Sequence, residues 1–248
     1  MSEEAKIENS AETPAADNAA PLKGIVGIKI GMTRAFTEDA RMIPVTVISA
    51  EGVIVSQVKT KATDGYDAVQ VAYDDVKESH LTKAEAQHFA KKGVALKRHV
   101  REFRVSDPTP FKVGQAVPVT VFAKGQWLQV SGLTKGHGYA GVIKRHGFHG
   151  LPHSHGHGEY RRHPGSSGAQ GPQHVLPGTR KPGHMGHVMN TAPKIEIFGI
   201  DTERNLILLR GSVPGPNGNF VVLKPTSRKV SSAQAQRATG KPAPKAKK

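Results

Sequence analysis

Followed for its alternation of apolar and polar positions, the chain breaks into short runs of strand character separated by turn residues. The first run is Gly24–Met32, GIVGIKIGM, where glycines interleave with apolar side chains and permit close backbone approach. Met42–Ala50 and Val53–Thr60 are rich in β-branched residues and flank Glu51-Gly52, which predicts a β-hairpin. Further strands are predicted at Tyr66–Tyr73, Val100–Val105, Ala116–Phe122, Trp127–Thr134, Lys194–Asp201, Asn205–Val213 and Asn219–Pro225. The turn Pro214-Gly215-Pro216-Asn217-Gly218 joins the last two. One helix interrupts the series. Thr82-x-x-Glu85 has the spacing of a capping box, Gly93 stands where a left-handed C-terminal residue is needed, and Phe89 with Ala86 and Ala90 would form the buried face. Many short strands with turn punctuation predict a mainly β protein carrying an α+β insertion at about 61–115. The expected architecture is an antiparallel barrel or sandwich rather than a series of βαβ units.

The alternation fails between Ser131 and Asn190. That segment holds ten of the thirteen histidines and fourteen of the 27 glycines, but a single acidic residue, Glu159. Its apolar residues follow neither a helical nor a strand period. Ordering a residue costs about 1–2 kcal/mol of backbone entropy, which so few apolar contacts do not offset. Connections beyond about 12–15 residues without secondary structure are usually functional. An extended loop at about 134–190, ordered by something outside the chain, is therefore expected. Its Lys and Arg residues, with almost no competing carboxylate, favour a polyanion as that partner.

Charge strengthens the inference. The 248-residue chain carries 35 Lys and Arg against 20 Asp and Glu, a formal net charge of +15, which points to nucleic acid or, less often, an anionic membrane surface. No apolar run approaches the ~18 residues needed to cross a bilayer, and the acidic, alanine-rich residues 1–21 lack the apolar core of a secretory signal. Those residues predict a solvated acidic tail. Residues 228–248, with seven bases and no acid, predict a disordered basic one. Between them, 22–227 is expected to form one barrel-based domain. The absence of cysteine removes disulfides and thiolate metal sites, and suits a reducing cytosol.

Within the segment, glycines let backbone N–H groups approach phosphates, and Arg and Lys supply charge-assisted contacts. Tyr139, Phe148, Tyr160 and the histidine rings offer flat surfaces for unpaired bases. Phosphates nearby would favour the charged form of imidazoles whose ordinary pKa is about 6.5. The candidate RNA-binding residues are Lys135, His137, Tyr139, Lys144, Arg145, His146, Phe148, His149, His153, His155, His157, Tyr160, Arg161, Arg162, His163, Arg180, Lys181 and His184. A metal reading competes: His153-x-His155-x-His157, followed by Glu159, presents three imidazoles at alternate positions, as a histidine-dependent metal-binding enzyme would. That spacing matches no metal motif with a known mechanism, and the segment has no core to preorganise it. Ser154 beside His155 lacks an orienting carboxylate for nucleophilic catalysis. No catalytic residue, metal or cofactor is assigned.

Gly132–Arg145 (GLTKGHGYAGVIKR), followed by Phe148, Ser154-His155-Gly156, Gly165-Ser166-Ser167-Gly168, Pro177-Gly178 and Met185-Gly186, resembles the large-subunit ribosomal protein L-three family. Gly27–Thr33 resembles that family's opening strand, and Asp201–Leu206 with Gly211–Gly215 its closing strands; the likeness spans about Leu22 to Thr226. The resemblance implies a translation-protein-type β-barrel with a long extension, direct binding to large-subunit (23S) rRNA, early subunit assembly and a loop tip near the peptidyl transferase centre. It also implies a cytoplasmic ribosomal location and neighbouring large-subunit proteins as partners, with no membrane and no homo-oligomer. Two departures stand out: histidine replaces much of the lysine charge around Arg180–His184, and Ala169, not Gln170, follows Gly168.

Overall fold

The computed structural model describes residues 22–37 and 39–227, so the readings of the two tails fall outside the described residues. In chain order the elements are β1 (Ile25–Phe36), β2 (Met42–Ser49), β3 (Ile54–Lys59), α1 (Lys61–Asp64), β4 (Ala68–Asp75), α2 (Lys83–Lys92) and β5 (Lys97–Arg104). They continue with β6 (Trp127–Leu133), β7 (Tyr139–Ala140), α3 (Val142–His146), β8 (Gly183–His184), β9 (Met189–Asp201), β10 (Leu206–Arg210) and β11 (Phe220–Pro225). Six strands hydrogen-bond in the cyclic order β1-β11-β6-β9-β10-β2, closing a barrel, and β3-β4-β5 form a separate antiparallel sheet.

Period-two alternation drives the barrel. Along β6 the residues alternate between half-buried and buried, with Leu128, Val130 and Gly132 inward; β10 does the same with Ile207 and Leu209. These side chains meet Ile25, Val26, Ile48, Ile197, Val221 and Leu223 in one core, which Val55, Val69, Val71, Tyr73 and Phe103 of the second sheet extend. Register shifts at Lys29/Gly31, Leu128/Val130 and Leu208/Leu209 supply the bends that closure requires. Gly27 marks a close approach between β1 and β2: a Cβ there would lie 2.4 Å from the Ser49 carbonyl oxygen and 2.7 Å from Ile48 Cγ2.

The capping box forms as the spacing predicts. The Glu85 amide donates to Thr82 Oγ1 at 3.4 Å, the Thr82 amide donates to Glu85 Oε2 at 3.0 Å, and Gly93 closes α2 at φ 64°. Phe89 is buried and Ala86 half-buried as expected, but Ala90 is exposed; His88, not expected on that face, lies against the sheet instead, its Nε2 3.0 Å from Gln70 Oε1. Ala116–Phe122 is not a strand. Pro118 has no N–H to give a ladder, so the run makes one bridge (Ile54 to Ala116) and then a single 3-10 turn at Val119–Val121, while Val117, Val119 and Phe122 still bury. Strands β1 and β9 run beyond their predicted ends because β2 and β6 continue to pair with them, through Phe36↔Met42 and Leu133↔Met189. Among the described residues, no helix is long and apolar enough to cross a membrane.

A polar network ties the second sheet together. Lys59 Nζ lies 2.7 Å from Glu102 Oε1 and donates to the Tyr66 hydroxyl at 2.9 Å, and that hydroxyl donates to Glu102 Oε2 at 2.7 Å. The hydrogen bond from Lys59 holds the Glu102 carboxyl below its usual value, while Glu102 and Tyr66 raise the Lys59 amine. A depressed carboxyl pKa contributes stability above the unfolded value, and that contribution disappears as pH falls through the folded one.

Two outcomes follow for stability. Gly27→Ala should cost about 1–3 kcal/mol, read as a lower urea midpoint at unchanged slope. Glu102→Gln should cost about 1 kcal/mol near neutral pH, with the gap to wild type closing below about pH 4.

Candidate nucleic-acid interface

The long connection between β6 and β9 begins as a continuation of the barrel. Its two ends pair in register from Val130↔Ala192 to Leu133↔Met189, and Thr134 extends the pairing, its amide donating to the Val188 carbonyl at 2.9 Å and its hydroxyl accepting from the Val188 amide at 3.2 Å. The His137 amide then donates to Met185 O at 2.8 Å and the Met185 amide to Gly138 O at 2.9 Å, leading into the two-residue ladder of β7 and β8. Gly186 makes this crossing possible: it sits at φ 76°, and a Cβ there would lie 2.1 Å from the Lys135 carbonyl oxygen. A short stalk results.

The root of the stalk is held by polar groups from the barrel. Lys29 Nζ donates to the carbonyls of Val213 and Gly215 at 3.0 Å each. Asn219 Nδ2 donates to Leu133 O at 3.0 Å, and a Cβ on Gly215 would lie 2.6 Å from that same carbonyl. Burial, and then the Lys135 ammonium, hold the Lys29 amine below its usual value. The sequence assigned this bracing task to none of Lys29, Thr134, Asn219, Gly186 and Gly215. Pro214–Gly218 carried a turn signal, and Lys29, Thr134, Gly186 and Gly215 lie in stretches that carry the family resemblance, but neither feature announced a bracket for the segment.

Beyond the stalk α3 caps a small cluster in which Ala140 and Val142 are buried. Arg145 Nη1 donates to the Lys181 carbonyl at 2.9 Å, His146 Nε2 lies 3.2 Å from the same oxygen, and Gly183 packs beneath the guanidinium. The expectation of a segment free of secondary structure is thus corrected for its proximal part. A β ladder and one helical turn form there because chain ends 45 residues apart are brought side by side.

The distal part has no comparable packing. Across 151–180 every residue is exposed except His157, which is half-buried. Leu151 N donates to Arg161 O at 3.1 Å, Tyr160 and His163 meet edge to face at 5.1 Å, and Lys181 Nζ donates to Ser167 Oγ. Lys135, His137, Tyr139, Lys144, Arg145, His149, His153, His155, Tyr160, Arg161, Arg162, His163, Arg180 and His184 are exposed; His146, Phe148, His157 and Lys181 are half-buried. Tyr139 and Tyr160 leave 70% and 54% of their surface open. Among the described residues, no Lys or Arg of the segment pairs with a carboxylate; the three ion pairs all lie in the barrel and second sheet.

The three alternate histidines do not converge. Arg161 Nη1 lies 2.6 Å from His153 Nδ1, and since guanidinium only donates, that nitrogen is an acceptor turned to a cation. Among the described residues no group of three His, Asp or Glu side chains could hold a metal ion.

The profile of a family described as Ribosomal protein L3 matches residues 107–205, which include β6, the whole extension and all of β9. A large ribosomal subunit protein uL3 from Carboxydothermus hydrogenoformans is 46% identical over 202 residues, covering 82% of this chain and 96% of the relative. The chain belongs to the ribosomal protein L3 family. Its counterparts in Laribacter hongkongensis and Thiobacillus denitrificans, also large ribosomal subunit protein uL3, are 48% and 47% identical over 205 residues, each covering 82% of this chain and 96% of theirs. The L3 family is structural and non-enzymatic, so the histidine-dependent enzyme reading is set aside.

Gly186→Ala should open the stalk. Hydrogen exchange at the His137 and Met185 amides should accelerate at least about tenfold, the equivalent of ~1.4 kcal/mol of lost local stability, while β10 and β11 amides keep their protection.

Proposed function

We infer that this L3 protein is a structural constituent of the large ribosomal subunit in the cytoplasm, and that it binds 23S rRNA directly through the extension. In this reading residues 22–227 form a translation-protein-type barrel domain that rests on the RNA surface, while the extension of about 134–190 enters between RNA helices. The observation that carries it is the distal stretch 151–180: almost wholly exposed, bearing Arg161, Arg162 and Arg180, with no carboxylate partner for any of them among the described residues. Such a surface has no reason to stay put in water, yet it suits a polyanion whose phosphates need cations and whose unpaired bases need flat rings.

The stalk gives this arm a defined exit from the barrel, and α3 presents Lys144 and Arg145 beside it. Recognition would follow folded RNA shape and stacking on Tyr139 and Tyr160, because the deep A-form major groove is poorly read by side chains. Early binding by such an arm would hold RNA segments together during assembly, with neighbouring subunit proteins joining later and the tip directed toward the peptidyl transferase centre.

Binding to deproteinised large-subunit rRNA should be strongly salt-dependent. Neutralising about ten phosphates gives a slope of log K against log salt between about −7 and about −9. Arg161→Ala with Arg162→Ala should flatten it by about 1.4–1.8. A wild-type slope shallower than about −3 would contradict broad phosphate contact.

A further inference from the structure

A second basic site lies away from the extension, where the second sheet meets the barrel. An open cavity of about 530 Å³ is lined by Lys23, Tyr66, Glu102, Phe103, Arg104 and Lys224. Lys224 pairs in the β11–β6 ladder with Gln129, four residues before Leu133, where the extension departs. At about 3.3 Å per residue the two sites are separated by roughly 13 Å or more along the strand.

Three features make this more than a scatter of surface lysines. The lone carboxylate is already saturated: Glu102 Oε1 is 2.7 Å from Lys59 Nζ and accepts from Gln70 Nε2 at 3.3 Å, and Oε2 accepts from the Tyr66 hydroxyl at 2.7 Å. Its charge is thereby neutralised from within the sheet. The remaining cations are held over rings instead of acids. Arg104 Cζ sits 5.3 Å from the Tyr66 centroid and Lys224 Nζ 5.5 Å from that of Phe103, and among the described residues neither pairs with a carboxylate. Finally, Gly24 lets the chain lie directly on Phe103, since a Cβ there would be 2.3 Å from Phe103 Cε1 and 2.7 Å from Leu223 O. That approach brings Lys23 to the cavity, where its Nζ donates to Ser106 Oγ at 3.2 Å.

We propose that this cavity is a second RNA contact, taking a backbone phosphate and its attached nucleotide through Lys23, Arg104 and Lys224. The volume exceeds that of a bare phosphate and suits a nucleotide unit. Ring-supported cations lose little side-chain freedom on meeting it, and Tyr66 gives the sugar or base a flat wall. The proposal rests on the rRNA-binding reading above and adds an anchor that fixes the barrel's orientation while the arm is engaged elsewhere.

The test uses the full chain on deproteinised large-subunit rRNA, by titration across salt and by backbone footprinting. All three cations are exposed, so Arg104→Ala with Lys224→Ala should keep the wild-type melting temperature. This double variant should weaken binding roughly three- to tenfold per residue, flatten the salt slope by about 1.4–1.8, and lose a footprint patch that Arg161→Ala with Arg162→Ala retains. Arg104→Lys should keep most of the slope. An unchanged slope and footprint in the cleft variant, while the arm variant still weakens binding, would overturn the proposal and point to a protein partner's acids for this cavity. A wild-type protein without salt-dependent binding would overturn the arm reading and this one together.

Discussion

The pairing of β6 with β9 is the constraint on which the rest depends. A connection of more than fifty residues leaves and re-enters the barrel on neighbouring strands, from Leu133 to Met189, so its two ends share one ladder and one exit direction. Everything distal inherits that direction. Lys29 and Asn219 strengthen the junction by tying the 213–219 turn and the Leu133 carbonyl into the same set of hydrogen bonds. Their partners are buried and partly buried backbone oxygens, whose loss of water has to be matched by donors. Burial, and then Lys135, disfavour the charge of Lys29, and the two carbonyls to which it donates offset that cost.

From that junction outward, order falls in steps that track apolar burial. The barrel has a closed core; the stalk has Ala140 and Val142; the distal stretch has nothing fully buried. Charge follows the opposite gradient. Carboxylates and their partners sit in the barrel and second sheet, while the arm keeps its cations unpaired. A protein whose stability and whose binding charge are drawn from different parts of the chain can enrich the arm in Gly, His and Arg without weakening the core. This division fits a structural member of the L3 family better than an active site, which needs its polar groups held by a rigid surround.

Local signals were legible in the sequence and non-local ones were not. Thr82, Glu85 and Gly93 lie within twelve residues of one another and define α2 by themselves. The alternation in β6 and β10 likewise reports burial directly. By contrast, β7 and β8 are two residues each and exist only because the ends of the arm meet, and α3 is a basic five-residue turn with too short a run to show a period. Ala116–Phe122 misled because β-branched side chains signal burial, and Pro118 then denies the ladder that burial usually accompanies. The arm's cations and rings could be picked from composition, but not which of them have structural tasks. His146 and Arg145 hold the Lys181 carbonyl, and His153 faces Arg161, contacts that no spacing announces.

The central claim is that the distal arm takes its fixed shape from folded rRNA rather than from its own packing. Amide hydrogen exchange across residues 148–182, measured on the full-length protein alone and on the same protein bound to large-subunit rRNA, tests it most directly. The account predicts rapid exchange there in the free protein, with the barrel strands protected, and strong protection of the arm only in the complex. Slow exchange throughout the arm of the free protein, unchanged by RNA, would contradict it.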